Sequence, residues 1–354
     1  MKTTSKLVIA SLSFVLIGQG CLGFGGSTSS SGSGGMFVTA DAGASWTQLS
    51  ALPSASGVGS IGGVNVISIE IDPTDDATIY IGTTGNGMFF SYDNGVSWQR
   101  PGDADVREGA VLDIEVDPRN ICTLYALKSD RILKSYTCSR EFSSVYIETR
   151  SDELLTAFAL DWFNPDIMWA GTSAGDILKS TDAGDNWSNV GEAGNDVSAI
   201  MISNADSRVV LVGTETRGMV RTDDSGETWV EFEDSLKKEF KASDDVYGFA
   251  QTENGDTILM NTKYGLLVSN DDGETWDGVP LVTSPGDVRI WGFAVDAKDG
   301  NTIYYGTGSI MYSTTSGGSS WSTEELPSSK APYAMQAHPT NTDRIYTGFA
   351  TVED

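Results

Sequence analysis

Short segments in which apolar and polar residues alternate recur along most of the chain. The segments beginning at Val66 (VISIEIDP) and Val111 (VLDIEVDP) are typical, and further copies begin at Ala157, Ser198, Tyr247, Trp291 and Tyr333. Each copy is followed by a turn and a second apolar segment, such as TIYIGT at Thr78. Alternation with a period of two residues predicts β-strands. The seven copies therefore predict seven strand pairs, named A and B below.

A second repeat, called the box motif below, accompanies the strand pairs. It contains a hydroxyl residue, then Asp, then Gly, and it ends in Trp, as in SYDNGVSW from Ser91 to Trp98. The complete copies contain Asp41, Gly43 and Trp46; Asp93, Gly95 and Trp98; Asp182, Gly184 and Trp187; Asp224, Gly226 and Trp229; Asp271, Gly273 and Trp276. A sixth copy has Gly318 and Trp321 but serine in the Asp position. A worn seventh copy, SYTCSREF, runs from Ser135 to Phe142.

The box motifs recur about every 45 residues, which is the length of a four-stranded propeller blade. We interpret each unit as strands A, B, C and D, with the box motif as the C–D turn. The chain begins with a C–D pair (Gly35 to Leu49) and ends with an A–B pair (Tyr333 to Phe349). Joining these pairs closes a ring and removes the open edges. We therefore predict an all-β, closed seven-bladed β-propeller of four-stranded blades, the last completed by both termini; the alternative is an open β-solenoid.

We predict that the Asp, Gly and Trp residues of the box motif have structural roles. A short Asp side chain accepts hydrogen bonds from backbone N–H groups two or three residues further on, and the glycine supplies a turn position with positive φ. The Trp begins strand D and covers apolar surface between strands. A calcium loop is the competing interpretation, but the segments DDSGET and NDDGET lack the acidic residue at the twelfth position. We expect no metal ion and no cofactor.

These repeats resemble the Asp-box, or BNR-repeat, family, over about residues 35 to 354. That family includes sialidases, sortilin-type receptors, xyloglucan-degrading hydrolases and photosystem II stability/assembly factors. A single ring of seven units is most similar to the assembly-factor group. The resemblance implies that the box turns lie away from the ligand-binding face. The assembly-factor group binds its partner through an arginine-rich patch, and because no matching cluster is found here, that partner is not carried over to this chain.

The N-terminal segment predicts export and lipid anchoring. Residues 1–21 contain Lys2, Lys6 and a short apolar core from Leu7 to Ile17, which is typical of a signal peptide. The segment ends in small residues before Cys21, and this resembles the bacterial lipobox, with Gly18 in the usual leucine position. Residues 22–35 are a Gly/Ser linker, and 36–354 form the propeller. We expect anchoring through Cys21 to the outer face of a bacterial membrane; the alternative is an ordinary signal peptide.

Composition excludes several functions. The 354 residues carry a net charge of -27, which disfavours nucleic acid and anionic lipid surfaces as partners. The single histidine, His338, lies in a predicted A–B turn, so His-based metal sites and Ser-His-Asp triads are not expected. Of the nine Trp, only Trp162, Trp169 and Trp291 lie outside the box motifs, and strand positions favour core or channel lining for them.

Two cysteines remain besides Cys21. Cys122 begins strand B of the blade that has the worn box motif, and Cys138 lies inside that motif. The A–B and C–D turns of one blade lie at the same end, and an even cysteine pair in an exported domain favours a bridge. We predict a disulfide between Cys122 and Cys138, with two free thiols as the alternative.

The predicted function is a binding or assembly scaffold that acts through the face opposite the box motifs, most simply as a monomer. The B–C and D–A loops share that face, and they carry Asn86, Arg107, Asp130, Arg150, Glu215, Arg217, Lys263, Tyr264 and Arg289. A longer D–A segment from Glu231 predicts a short helix there. Catalysis is less favoured, because no sialidase residue set and no second ring can be found. The alternatives are a glycoside hydrolase, a carbohydrate-binding propeller or a passive spacer.

Overall fold

The computed structural model describes residues 34–352, and almost all of its regular structure is β-strand. Seven sheets, called blades 1 to 7, surround a central channel to which the A strands of all seven contribute. Neighbouring strands within each blade are antiparallel. The prediction of an all-β, seven-bladed propeller is confirmed. Within the described part of the chain, no helix combines the length and the apolar composition that a membrane crossing requires.

The first half of the chain forms the following strands. The chain enters with β1 (Gly35–Thr39), β2 (Thr47–Leu49), β3 (Ala51–Ser54) and β4 (Gly57–Ser60). Blade 1 contains β5 (Val66–Ile71), β6 (Ile79–Thr83) and β7 (Met88–Ser91). Blade 2 contains β8 (Asp113–Val116), β9 (Leu124–Lys128), β10 (Arg131–Ser135) and β11 (Ser143–Ile147). Blade 3 contains β12 (Leu155–Leu160), β13 (Met168–Thr172), β14 (Asp176–Ser180) and β15 (Ser188–Glu192).

The second half of the chain continues the same order. Blade 4 contains β16 (Val197–Ile202), β17 (Val210–Thr214), β18 (Met219–Thr222) and β19 (Val230–Glu231). Blade 5 contains β20 (Val246–Gln251), β21 (Ile258–Thr262), β22 (Leu266–Ser269) and β23 (Asp277–Gly278). Blade 6 contains β24 (Gly292–Val295), β25 (Ile303–Gly306), β26 (Ile310–Thr314) and β27 (Ser322–Glu325). The last strands are β28 (Ala331–His338) and β29 (Asn341–Ala350).

Blade 7 is assembled from strands at both ends of the described chain, in the order β28-β29-β1-β2. Strand β1 pairs antiparallel with β29, with Met36 opposite Gly348 and Val38 opposite Tyr346. Gly35, which the sequence analysis placed in the linker, is the first residue of β1. Gly34 packs as well, since a Cβ there would lie 2.6 Å from the carbonyl oxygen of Val64. Strand β1 thus begins at the residue where the first predicted C–D pair begins.

Three features depart from a regular array of blades. In blade 1 the outer strand is reduced to a bridge between Phe90 and Gln99, so this sheet has three strands instead of the predicted four. Strands β3 and β4 form an exposed hairpin between β2 and blade 1, which the sequence analysis did not anticipate. A helix, α1 (Glu233–Glu239), precedes blade 5, as predicted, and a single 3-10 turn (Ala104–Val106) precedes blade 2.

The hydrophobic core lies between adjacent blades. One cluster joins Leu211 and Met219 of blade 4 to Met260 and Leu267 of blade 5, and Leu236 of α1 packs against it. Similar clusters lie at other blade boundaries. Each blade thus buries its apolar faces against two neighbours, which is the reason that the sheets require a ring.

Candidate functional site

The two ends of the ring are built from different connections. The A–B and C–D turns, with the box motifs, form one end, called the box end below. The B–C and D–A loops form the other end, called the loop face. Backbone hydrogen bonds link these loops to one another: the N–H of Gly218 donates to the Asp244 carbonyl (2.8 Å), and that of Lys263 donates to the Asp245 carbonyl (3.0 Å).

In the complete box motifs, the aspartate side chain organises the turn. Asp224 accepts hydrogen bonds from the hydroxyl (2.6 Å) and backbone N–H (2.9 Å) of Thr228 and from the hydroxyl of Thr222 (2.7 Å). These bonds to the charged form lower the pKa of Asp224 to about 2. The accepted N–H lies four residues after the aspartate, and not two or three as expected. The same pattern occurs at Asp41, Asp93, Asp182 and Asp271.

The box glycine meets two demands. In the blade 4 copy, Ser225 and Gly226 both have positive φ, 61° and 89°, and the other complete copies share this pair of conformations. A Cβ on Gly226 would lie 2.7 Å from a ring atom of Trp169 in blade 3. Only glycine therefore satisfies both the backbone conformation and the close approach to the preceding blade.

Box tryptophans connect neighbouring blades. Four of the six indole N–H groups donate to backbone carbonyls at the outer edge of the preceding blade at 2.7–3.1 Å, in the pairs Trp98–Leu49, Trp187–Val145, Trp229–Val190 and Trp321–Pro280. Those of Trp46 and Trp276 are buried without a hydrogen-bond partner among residues 34–352. Cationic side chains on C strands donate in the opposite direction, to carbonyls of the next box turn, in the pairs Lys134–Ala183, Lys179–Ser225 and Arg221–Asp272. The polar groups of the box end are thus used largely within the ring.

The worn motif of blade 2 keeps the turn conformation without Asp or Gly. Cys138 and Ser139 have positive φ of 52° and 65°, at the positions that correspond to Ser225 and Gly226. Thr137 replaces the aspartate as acceptor of a backbone N–H, that of Glu141, at 2.9 Å. Cys122 and Cys138 form a disulfide, as predicted, and it joins the A–B turn to this C–D turn.

Every predicted candidate for the binding face lies at the loop face. Seven are exposed there: Asn86, Arg107, Arg150, Glu215, Arg217, Lys263 and Arg289. Asp130 and Tyr264 are half-buried, and the Tyr264 ring packs edge-on against Phe240 at 5.3 Å between centroids. The structure thus places all nine on the same face of the ring.

Most candidate charges form ion pairs within their own or adjacent loops. Arg150 contacts Glu148 (2.8 Å), Glu153 and Asp176 (both 2.6 Å), and its hydrogen bonds lower the pKa of Glu148 to about 2. Three further pairs are Asp130–Arg131 (2.7 Å), Arg217–Glu233 (3.2 Å) and Lys263–Asp245 (3.1 Å). The face therefore carries separate groups of paired charges around its circumference.

Arg289 has different surroundings, at the loop-face mouth of the channel. Its guanidinium carbon lies 4.0 Å from the ring centroid of Tyr247 and 4.4 Å from that of Trp291. The Trp291 ring lies 6.3 Å from that of Tyr333, which is 42% exposed. These four side chains line a pocket of about 270 Å³. Sequence reasoning selected Arg289 but not its aromatic neighbours.

A cavity of about 680 Å³ lies in the channel, and residues of the A–B turns at the box end border it. Glu70 of β5, Glu115 of β8 and Glu253 line it, and no Lys, Arg or His of residues 34–352 does. Asp113 lies on the same face of β8 as Glu115. Glu70, Asp113 and Glu115 are half-buried, whereas Glu253 is exposed. Burial raises the pKa of Asp113 to about 7. Burial also raises the pKa values of Glu70 and Glu115, and the charge of Asp113 raises both further.

The remaining candidates have mainly structural surroundings. His338 is buried, and its Nδ1 accepts the N–H of Thr340 at 3.2 Å, as the Asp72 carboxylate does for Thr74 in blade 1. Trp169 is buried in the core. Within residues 34–352, no group of three or more His, Cys, Asp or Glu side chains has the arrangement of a metal site. Cys21 lies outside the described residues.

Sequence reasoning missed an exposed aromatic pair at the box end. Trp162 is 43% exposed and Phe163 is 74% exposed, and their rings form an edge-to-face contact. Trp162 borders the large cavity and donates its indole N–H to the Ser203 carbonyl at 3.0 Å. Both residues directly follow Asp161 at the A–B turn of blade 3, so in the sequence they look like ordinary strand or turn residues.

Comparison with solved structures relates the fold to two groups of propellers. The chain is similar to the GH74 xyloglucanase from Xanthomonas campestris (14% identity, TM-score 0.65), over 82% of this chain and 51% of that one. It is also similar to the GH74 enzyme of Niastella koreensis (16%, 0.62), over 81% and 51%. The structure of YCF48 bound to D1 peptide matches at 14% and 0.60, over 82% of this chain and 94% of that one.

The chain therefore spans about half the length of the GH74 enzymes that it matches and nearly the whole length of YCF48. No family model and no curated protein matches the sequence. At these identities the likeness establishes the fold.

Proposed function

We propose that this protein is a non-catalytic scaffold that binds a protein partner through its loop face. The observation that carries the proposal is the contrast between the two ends of the ring. Box-end polar groups bond largely within the ring, whereas Glu215, Arg217 and Lys263 remain exposed on loops held by a rigid array of blades. YCF48, a propeller of similar extent, is bound to a D1 peptide, and this supports peptide binding as the kind of function.

The repeats also support membership of the Asp-box family. In five turns a hydroxyl residue accepts the N–H of the box glycine and the aspartate accepts a further backbone N–H, which is the regularity that the sequence motif implies. We infer that these residues stabilise the blades and do not bind the partner.

Membrane tethering through Cys21 completes the proposal. The Cys122–Cys138 disulfide supports an oxidising, extracytoplasmic location. A lipid on Cys21 and the Gly/Ser linker would hold the ring close to a membrane and leave it free to rotate. Cys21→Ser should move the protein from the membrane fraction to the soluble fraction; retention on membranes at high salt would contradict the lipid anchor.

Affinity capture tests partner binding. The full chain, purified from native membranes, should retain a partner that is lost on combined Glu215→Lys, Arg217→Glu and Lys263→Glu reversal. Because the net charge is -27, encounter with a partner that is basic overall should weaken as salt is added. A partner retained equally by the reversed variant would contradict the loop-face assignment.

Glycoside hydrolysis is the second candidate, and the channel carboxyls favour it. Glycosidases use two carboxyl groups, one with a raised pKa, and Asp113, Glu70 and Glu115 lie together with raised pKa values. The fold likeness to GH74 enzymes agrees with this candidate. Xyloglucan turnover by the purified ring, lost in Glu70→Gln or Glu115→Gln, would replace the scaffold proposal.

A further inference from the structure

Arg289 retains a positive charge that the described protein does not neutralise by direct contact. Within residues 34–352, no carboxylate oxygen lies within 4.0 Å of a nitrogen of Arg289. Arg150, Arg217 and Lys263 on the same face each have such a contact. In a chain with 49 acidic and 22 basic residues, an exposed arginine without an acidic partner at a pocket is a candidate binding group.

The surrounding rings orient this arginine. Its guanidinium carbon lies over Tyr247 at 4.0 Å and over Trp291 at 4.4 Å, and such cation–π contacts hold the guanidinium plane against the rings. A guanidinium held by its face keeps its N–H edges available for a planar acceptor. The pocket thus presents an oriented fork of donors and not a freely rotating charge.

The pocket also contains polar groups without protein partners. Within the described residues, the Trp291 indole N–H and the hydroxyls of Tyr247 and Tyr333 make no hydrogen bond to protein. Ile67, Ile69 and Phe293 supply apolar lining. A cavity of about 270 Å³ that combines donors with apolar walls suits a small group having both an acidic and an apolar part.

We infer that this pocket binds a carboxylate of the partner's peptide chain, next to an apolar side chain. The carboxylate would accept two parallel hydrogen bonds from Arg289, and the apolar side chain would pack on Trp291 and Tyr333. The carboxylate has two possible sources in a peptide, namely an Asp or Glu side chain or a free C-terminus. This inference rests on the proposed partner binding and names the chemical group that the partner presents.

The overall acidity makes such a pocket selective. The net charge favours a partner that is basic overall, and an isolated acidic group in that partner can enter only where a cation is exposed. Arg289 would therefore determine where the acidic group of the partner binds on the loop face, and it would contribute to the affinity for that partner.

Titration calorimetry with the purified full-length protein tests the inference and separates the two sources. One acetylated and amidated hexapeptide carries an internal Phe-Glu pair, and a second ends in Phe with a free carboxylate. A third is the second peptide with an amidated end, and glucuronate represents sugar acids. We expect one of the first two peptides to bind with a Kd on the order of 10–1,000 μM, and the third and glucuronate to bind at least tenfold more weakly.

Variants assign the binding to Arg289. Arg289→Gln should weaken peptide binding by about 10- to 100-fold, because it removes a charge-assisted pair of hydrogen bonds. Arg289→Lys should restore only part of it, since lysine lacks the planar fork. Arg140→Gln is the matched control, because it removes an exposed arginine of the worn box motif, outside the pocket, and it should leave binding unchanged.

Several results would overturn the inference. These are no binding by either carboxylate peptide, equal binding of the amidated peptide or glucuronate, and unchanged binding by Arg289→Gln with a native melting temperature. Partner capture separates the two proposals. If Arg289→Gln captures the partner normally while the triple loop reversal loses it, the pocket inference fails and the scaffold stands. If peptides bind through Arg289 but the wild-type ring captures no protein, the scaffold fails and the pocket stands.

Discussion

The box end and the loop face use their polar side chains differently. At the box end, Asp224 bonds to its own turn and Trp229 bonds to the preceding blade, so their substitution should disturb the ring. At the loop face, Glu215 and Arg289 are exposed and make few contacts that the fold needs. One end therefore contributes mainly to stability, and the other is free to contribute to binding. The following predictions challenge that division.

Removing the strands that complete blade 7 should have the largest effect. Deletion of residues 331–354 takes away β28 and β29 and leaves β1 without its partner strand. The apolar surfaces of blades 6 and 1 that pack against blade 7 are then exposed to solvent. We therefore expect thermal denaturation, followed by circular dichroism, to show no cooperative transition. Deletion of residues 351–354 alone leaves the sheet intact and is the control. A cooperative transition near the native temperature in the longer deletion would contradict ring closure.

Loss of the disulfide should come next. Cys122→Ala with Cys138→Ala opens a link across 16 residues and removes about 3 kcal/mol of unfolding free energy on the chain-entropy model. Urea denaturation of oxidised and reduced protein measures this. A reductant should destabilise the wild type by the same amount and leave the double variant unaffected. If reduction has no effect on the wild type, the bridge does not substitute for the missing Asp and Gly of blade 2.

A single box turn permits a matched comparison of two aspartates. The Asp182 side chain accepts three hydrogen bonds within its turn, whereas the exposed Asp185 contributes only its backbone N–H. Asp182→Ala should lower the melting temperature by several degrees, because the backbone N–H of Asn186 and the side chains of Ser180 and Asn186 lose their acceptor. Asp185→Ala should leave it nearly unchanged. Equal effects would show that surface charge, and not the hydrogen bonds, governs stability here.

The channel carboxyls should make stability depend on pH. Their pKa values are raised in the folded protein, that of Asp113 to about 7, so the folded state binds more protons than the unfolded state above about pH 4. The free energy of unfolding that these carboxyls contribute in their protonated form is fully present below about pH 4, and it is lost as the pH rises through about 7. The melting temperature should therefore fall between pH 5 and pH 8. Asp113→Asn should reduce that fall and stabilise the protein at pH 8; an unchanged profile would contradict the assignment.

Periodic features of the fold were predictable from the sequence. The box motifs and alternating strands give the blade count, because each blade repeats the same local chemistry. The disulfide followed from the position of Cys138 in the worn motif and of Cys122 in the facing turn. Helix α1 was predictable because the D–A segment that contains it is longer than the others. The blade 1 outer strand was overestimated, because only Gln99 forms the outer bridge there.

The candidate site was predictable only as a face. Glu70 and Glu115 occupy polar positions of alternating strands, which a sequence pattern assigns to solvent, and only the ring shows that these positions line a channel. The pocket combines Tyr247 of blade 5, Trp291 beside blade 6 and Tyr333 of blade 7. Such contacts depend on the spacing of blades around the ring, and no local pattern encodes it.

The most direct test of the division between the two ends measures stability and partner capture on the same variants. The triple reversal Glu215→Lys, Arg217→Glu and Lys263→Glu should abolish capture and shift the melting temperature by about 1 °C or less, since exposed ion pairs contribute little to stability. Asp182→Ala should lower the melting temperature and retain capture below it. Capture lost in Asp182→Ala but kept in the triple reversal would contradict the account.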